Sequence, residues 1–427
     1  MYETNNQGHL LIGQKDAVEL AQKYKTPLYV MDKKKILSSI RSFKSSMDKF
    51  YGGNGLVTYA SKAFLCKEMA RIAKAEGIGL DVVSEGELFT ALSADFPADK
   101  IFFHGNNKTP QELSYAIQNG VGRIVVDNLD ELELVSVLSS SLGKRARILF
   151  RVKPGVDAHT HSYIKTGQID SKFGLAIENG EAFEAVKIAL ETPNIELMGF
   201  HCHIGSQIFD IEPFAETAEI MLNFIAMIKD KLGFEARELD LGGGFGIRYT
   251  GEDNPAPYES YIERVAGVCE SECKKLGINK PFIIIEPGRS IVGEAGTTLY
   301  TVGAIKDIKN VRKYVSIDGG MTDNPRFALY ESKYDAVIAN KAIEPKSELV
   351  TIAGKCCESG DLIGKDIPLG EAQVGDILAV LGTGAYNYSM SSNYNRILKP
   401  AVLMIDGEEE KIIVKRECLE DLIRNDI

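Results

Sequence analysis

A parallel (β/α)8 barrel of the TIM type, followed by a C-terminal β-sandwich or β-barrel domain, is the α/β architecture the sequence predicts. Two observations predict it. Eight short apolar, β-branched runs alternate with amphipathic segments, and the first four begin 22 residues apart, at Leu56, Ile78, Lys100 and Gly122. After Arg289 the texture changes to strand-like runs joined by turns, with few helical stretches between them. A chain of 427 residues is long enough for both parts, because such a barrel takes about 250 residues.

The barrel strands are expected in LVTYAS from Leu56, IGLDVVS from Ile78, KIFFHG from Lys100 and GRIVVD from Gly122. ARILFRV from Ala146, ELMGFHCHIG from Glu196, ELDLGGG from Glu238 and FIIIEPG from Phe282 complete the eight. Near-continuous apolar runs suit strands buried on both faces, as parallel strands are. The intervening helices carry ordinary stop signals, as in KEMARIAKAEG, which closes on Gly77. The fifth crossover, GVDAHTHSYIKTGQIDSKFGL from Gly155, is long and polar, as functional loops often are. Beyond the barrel, TLYTVGAIKDI, KYVSIDGG, ELVTIAG, DILAVLG, RILKPAVLMIDG and KIIVKREC read as strands, and the early HLLIGQ and PLYVMD segments are strand-like enough to join them. The expected division is a barrel over 33–285 and a β-rich domain from 1–32 plus 286–427.

Composition narrows the partners. With 44% hydrophobic and 26% charged residues the chain is an ordinary globular enzyme in makeup. A net charge of −11 argues against nucleic acid, since phosphate-backbone binding needs clustered Lys and Arg. The short basic runs Lys33 to Lys35 and Lys274 to Lys275 read as solvated helix faces. No apolar run approaches the roughly 20 residues of a membrane span, and MYETNNQGHL lacks a signal-like pattern, so a cytoplasmic protein is expected. Seven scattered cysteines read as reduced thiols. Cys269 and Cys273, four apart on a predicted helix, read as partly buried small hydrophobes with no metal nearby.

If the barrel is right, chemistry gathers at the C-terminal ends of its strands, and polar residues do fall there: Lys62, Asp81 with Glu87, His104, Arg151, His201 with His203, Gly242 to Gly244, and Glu286 with Arg289. Three glycines after the seventh strand let backbone N–H groups face a phosphate without side chains. In EPGR, a pairing of Glu286 with Arg289 alone would gain little for its desolvation cost, so a cofactor contact accounts for them better. HCHIGSQ and AHTHS, the latter with His159 and His161, offer paired histidines of the kind metals use. His203 is read first as a flat ring stacked on something aromatic, then as a structural histidine, with a metal ligand third. Lys62 is a snorkelling surface residue on the ordinary reading. In a desolvated barrel mouth its amine would lose its proton more readily and attack carbonyls. A lysine, a phosphate loop and a carboxylate on another strand suit pyridoxal 5'-phosphate, with its aldehyde, phosphate and ring nitrogen.

YASKA, FHGNNKT, DSKFGL, HCHIGSQ, GGGFG, EPGR, CESGD and GAYNYSMSSNYN together resemble the diaminopimelate decarboxylases, in the alanine racemase-like class of fold type III pyridoxal-phosphate enzymes. The resemblance covers nearly the whole chain. It implies decarboxylation of meso-2,6-diaminopimelate to L-lysine and CO2, the last step of lysine biosynthesis, by a homodimer with shared active sites. By that resemblance Lys62 carries the covalent link to the cofactor and His203 stacks on its ring. Gly242, Gly243 and Gly244, with Ser206 and Tyr386, hold the phosphate, and Asp81, Glu87 and Gly288 also belong to the cofactor site. Glu286 faces the pyridine nitrogen. Arg289, Arg326 and Tyr330, with Tyr386, match substrate-binding positions, and Glu358 matches the residue for the distal ammonium. Cys357 looks like the acid that protonates the product carbon, supplied from the partner subunit; Cys356 beside it is a competing thiol, and adjacency to Glu358 selects Cys357. No metal is implied.

Other readings make different demands. A decarboxylase of the ornithine, lysine or carboxynorspermidine type would not call for Arg326 and Tyr330 of NPRFALY, and a racemase would not call for CESGD. A metal-dependent barrel hydrolase usually pairs its histidines on the first strand, where this chain has Lys62. A non-catalytic pyridoxal-phosphate carrier would be a lone barrel, without the β-rich last third.

Overall fold

The computed structural model describes residues 3–156 and 171–427, so His159 and His161 lie outside the described residues. The chain divides into two compact units: one of 39–246 and 255–290, the other of 1–38, 247–254 and 291–427.

The first unit is a closed parallel barrel. Its strands are β1 (Gly55–Ala60), β2 (Gly79–Val82), β3 (Ile101–Phe103), β4 (Arg123–Val126), β5 (Ala146–Lys153), β6 (Ile195–His201), β7 (Glu238–Asp240) and β8 (Phe282–Ile285). They pair in sequence order, and the ring closes where Ile283, Ile284 and Ile285 of β8 run parallel to Gly55, Leu56 and Val57 of β1. All eight expected runs supply a strand. The apolar runs form parallel strands because both faces are covered, outside by helices and inside by a plug of Phe102, Val125, Leu149, Met198 and Ile284. Helices follow the strands with sequence-encoded starts: Thr109 and Glu112 form a reciprocal capping box, and Ser84 and Asn128 cap the helices Glu85–Leu92 and Leu129–Ser141. The helix Lys67–Ala75 ends ahead of Gly77, as the stop signal requires. Cys269 and Cys273 are buried among the apolar residues of helix Tyr258–Leu276.

The second unit is a mixed sheet. Its strand order is Leu362–Leu369, Glu348–Ala353, Arg312–Ile317, Gly296–Ile308, Leu28–Asp32, Ala401–Asp406 and Glu409–Val414, with Ile377–Leu381 also pairing to Gly296–Ile308 and to Ala336–Ile338. PLYVMD therefore enters the middle of this sheet, between the long strand Gly296–Ile308 and Ala401–Asp406. HLLIGQ does not: Leu11–Ile12 pairs only with Lys15–Asp16 among the described residues. Asp16 explains the difference, because its carboxylate caps Val18 and Glu19 and turns the chain at once into helix Ala17–Tyr24. Two apolar clusters pack this unit, one around Tyr300, Val315, Ile352 and Leu378, the other around Leu28, Val30, Leu299 and Leu403. No described helix is long and apolar enough to cross a membrane.

The barrel plug makes a quantitative demand. Leu149 is fully buried in it, so Leu149→Ala should cost about 2–5 kcal/mol. A urea unfolding midpoint unchanged from the parent chain would show that the plug is not packed as described.

Candidate active site

The site is built where β1, β2, β3, β6, β7 and β8 end. After β1 the chain makes a tight 3-10 turn, Ser61–Ala63, in which Ser61 and Ala63 are buried and Lys62 between them is exposed. Its charge acts on Asp81, Glu87 and His203, which places the amine at the barrel mouth. Gly288 permits this arrangement: a Cβ there would lie 2.9 Å from the Ala60 Cβ and 3.3 Å from that of Ala63, so only a bare backbone lets the EPGR turn pack beside the lysine turn.

Glu286, the first residue after β8, is 7% exposed, and its backbone N–H donates to Gly242 O at 2.8 Å. Its Oε1 lies 2.7 Å from His104 Nε2 and its Oε2 3.3 Å from His201 Nε2. Burial by itself would raise this carboxyl, but the two histidines outweigh it and hold the group well below the usual carboxylate range. The short contact to His104 lies off the line of a hydrogen bond, so Glu286 Oε1 is a buried acceptor with no hydrogen-bond partner among the described residues. Asp81 sits 3.8 Å from His104 and is pushed up to about 7, chiefly by burial. Asp240, which ends β7, is raised by burial and by Glu286 while its Oδ1 accepts from Gly242 N at 2.9 Å. Glu87 accepts from Val83 N at 2.7 Å, and burial raises it.

His203 lies two residues beyond β6, so it does not share a strand face with His201. Its Nδ1 accepts from Gly243 N at 3.3 Å. Burial, with Lys62 and Arg151 nearby, holds this imidazole well below its ordinary range, so the ring is neutral and flat at physiological pH. Arg151 lies within β5 and stacks its guanidinium 4.1 Å over Phe173. In the glycine loop a Cβ on Gly243 would fall 2.2 Å from Glu286 O, so β7 and β8 can approach this closely only through glycine. The first two loop amides are already donated, Gly242 to Asp240 and Gly243 to His203. The cationic partner beside the loop is Arg289, whose Nη2 donates to Ser206 Oγ at 2.8 Å. That bond uses Ser206 as an acceptor and leaves its own proton to give.

Apart from Arg289, which lies in the barrel unit, the residues expected at the substrate lie in the β-rich unit. Arg326 is 7% exposed; its Nη1 donates to Tyr249 OH at 2.7 Å and its Nη2 to Ser332 Oγ at 3.2 Å. The rings of Tyr249, Tyr386 and Tyr330 surround the guanidinium at 5.3, 5.7 and 5.9 Å. Tyr386 has φ of 63°, a left-handed backbone that a tyrosine adopts only when its surroundings hold it there. Cys357 and Glu358 are exposed in a loop that Asp361 braces, its carboxylate accepting from Met321 N at 2.5 Å and Cys356 N at 2.6 Å. Cys357 N donates to Asn395 Oδ1 at 2.8 Å. The Cys356 thiol is pushed up to about 11, mainly by burial and then by Asp361.

Sequence reasoning missed Asp240, Tyr249, Asp361 and Asn395. Asp240 carried a usable signal, a carboxylate two residues ahead of the glycine loop. Tyr249 carried none, since only the fold brings it to Arg326.

The donor set suits pyridoxal phosphate. A buried acceptor at Glu286 Oε1 fits a protonated ring nitrogen, Arg289 and the Ser206 hydroxyl beside the glycine loop fit a phosphate, and Lys62 fits an aldehyde. His104, His201, Asp240 and Glu286 also bring one ligand atom each within 4.8 Å of the others. That spread is wider than the roughly 3.3 Å edge of a tetrahedron with ~2.0 Å bonds, and Glu286 Oε2 already has His201 as a hydrogen-bond partner. His203 is not in this group, so among the described residues His201 and His203 do not form one ligand pair.

Comparison with known proteins agrees with this chemistry. Residues 33–293 match the family described as pyridoxal-dependent decarboxylase, pyridoxal binding domain. The chain is 51% identical to a diaminopimelate decarboxylase of Bacillus methanolicus, over 97% of this chain and 96% of that protein. It is 49% identical to that of Bacillus subtilis (strain 168), over 99% and 96%. A crystal structure of diaminopimelate decarboxylase from M. jannaschii in co-complex with L-lysine superposes with a TM-score of 0.93 at 36% identity, covering 100% of this chain and 98% of that one. By motif, fold and full-length identity, the chain belongs to the diaminopimelate decarboxylase family of pyridoxal-dependent carboxy-lyases.

Proposed function

We propose that this chain removes CO2 from meso-2,6-diaminopimelate to leave L-lysine, the last step of lysine biosynthesis, as a cytoplasmic homodimer. The observation that carries the reading is the match along 97% of the chain to a relative that bears the diaminopimelate decarboxylase name, at 51% identity. The seven cysteines, all free, suit a reducing compartment.

Pyridoxal phosphate supplies the electron sink that accepts the charge left when a carboxylate departs from the substrate α-carbon. The chain supplies everything else. Lys62 Nζ would hold the cofactor through its aldehyde. Glu286 would face the ring nitrogen and favour its protonated form. Neutral His203, its plane tied to Gly243 N, offers a flat face to the ring. Arg289 and Ser206 bind the phosphate with the glycine loop. Arg326, already desolvated and framed by tyrosines, takes the distal carboxylate with Tyr330. Holding both ends of the substrate fixes which bond lies in line with the ring's π system, an orientation effect that can be worth several kcal/mol. Cys357 and Glu358 of a second copy would complete the site, Glu358 binding the distal ammonium and Cys357 returning a proton to the α-carbon. The domain arrangement follows: the barrel binds the cofactor and the β-rich unit completes the site at the dimer interface.

Carbon dioxide release from a panel of diaminopimelate, lysine and ornithine tests the substrate. Diaminopimelate should exceed the other two by about 10²-fold or more in kcat/KM, because a site built for a polar group rejects analogues that lack it. Comparable turnover of ornithine would favour the polyamine-type decarboxylase instead. Arg326→Ala should lose about 10²-fold in kcat/KM for diaminopimelate and keep its cofactor affinity; equal loss of both would remove Arg326 from the substrate role. At neutral pH, iodoacetamide should label exposed Cys357 about tenfold faster than Cys356, whose thiolate is scarce. The reverse order would show that Cys356, not Cys357, is the accessible thiolate of this loop.

A further inference from the structure

We propose that His104 and His201 are positioning residues: they clamp the two oxygens of Glu286, keep that carboxylate anionic and aimed, and so set how firmly the cofactor's ring nitrogen is held protonated. The inference rests on the reading of Glu286 as the ring-nitrogen partner and adds to it the groups that make Glu286 competent.

The geometry is that of a clamp. One histidine reaches each carboxylate oxygen, at 2.7 Å for His104 and 3.3 Å for His201. The two imidazoles meet edge to face, with centroids 4.8 Å apart and planes at 73°, so each packs against the other. Each is anchored through its backbone: His104 N donates to Val82 O at 2.8 Å, and His201 is held in the ladder between Arg151 of β5 and Asp240 of β7.

The clamp is needed because of what else is buried there. Asp81 and Asp240 share this dry interior with Glu286, and all three are almost fully buried. Three carboxylates this close cannot all stay ionised in a low dielectric, so protons distribute among them. A protonated Glu286 could not hold a proton on the ring nitrogen. The histidines decide the distribution in favour of Glu286, because it is the carboxylate both of them touch, whereas burial drives Asp81 and Asp240 upward.

His201 shows that the arrangement serves Glu286 rather than packing. Burial pushes this imidazole down to about 3, so it is neutral, and only Nε2–H can donate to Glu286. Its Nδ1 is left buried with no hydrogen-bond partner among the described residues. Leaving such an acceptor unsatisfied costs about 1–3 kcal/mol, and an apolar residue of similar volume would avoid that cost. The contact with Glu286 is the compensating interaction.

The test compares two cofactors on the same protein: pyridoxal phosphate and its 1-deaza analogue, in which a carbon replaces the ring nitrogen. Dissociation constants are read by spectroscopic titration, and the holoenzyme carrying ring-15N-labelled pyridoxal phosphate reports ring protonation by NMR. The parent chain should prefer pyridoxal phosphate by about tenfold or more, the scale of one hydrogen bond to a charged group. His104→Phe and His201→Phe should lose most of that preference and shift the 15N signal toward the unprotonated ring, while His201→Gln, which keeps an N–H donor, retains more of both. If a phenylalanine variant does not fold, the methionine variant removes the same donor with a more adaptable side chain. Glu286→Gln separates the two levels of the argument. If it keeps the parent preference, the reading of Glu286 itself fails. If it loses the preference while the donor-less histidine variants keep it and the protonated 15N signal, only the clamp is overturned.

Discussion

A single buried carboxylate, Glu286, organises the barrel mouth. It stands directly after β8, nearly sealed from water, with an imidazole on each oxygen. Keeping an ionised carboxylate there carries a desolvation penalty that only close donors offset. The neighbouring elements are arranged around that requirement. β3 brings His104 and β6 brings His201, while β7 brings Asp240, whose carboxylate fixes the first amide of the glycine loop. The glycine loop then follows from the same crowding, since Gly243 passes too close to the Glu286 carbonyl for any side chain. Lys62, Ser206 and Arg289 are placed on the rim of this centre rather than within it.

Most of the barrel was legible in the sequence because its signals are local. A strand buried on both faces must be a short apolar run, and a helix between two such strands must begin at a cap and stop near a glycine. FIII and LVTY could hardly be anything else. The segments that resisted were those whose fate depends on distant partners. PLYVMD and HLLIGQ look alike as strings, yet the first enters the central sheet and the second stops after two residues, because Asp16 starts a helix.

The site was legible in outline for a related reason: a barrel collects chemistry at one end of its strands, so polar residues after apolar runs point to it. Two features were not. The placing of Lys62 beside Asp81, Glu87 and His203 depends on which way a three-residue turn faces, and neither Ser61 nor Ala63 announces that in sequence. The pairing of histidines was misjudged as well: His201 and His203 look like one unit two residues apart, but the strand ends between them. His201 turns inward to Glu286 and His203 outward to the glycine loop. Asp361, which braces the loop of Cys357 and Glu358, is recognisable as a brace only once its backbone partners near Met321 and Cys356 are seen.

The central claim is that this mouth holds pyridoxal phosphate through Lys62. Borohydride reduction of the holoenzyme followed by peptide mass mapping tests it most directly. The account predicts the reduced pyridoxyl group on Lys62, in the peptide that runs through YASKAF. Its recovery on any other lysine, or an unmodified Lys62 in protein that retains stoichiometric cofactor, would contradict the account.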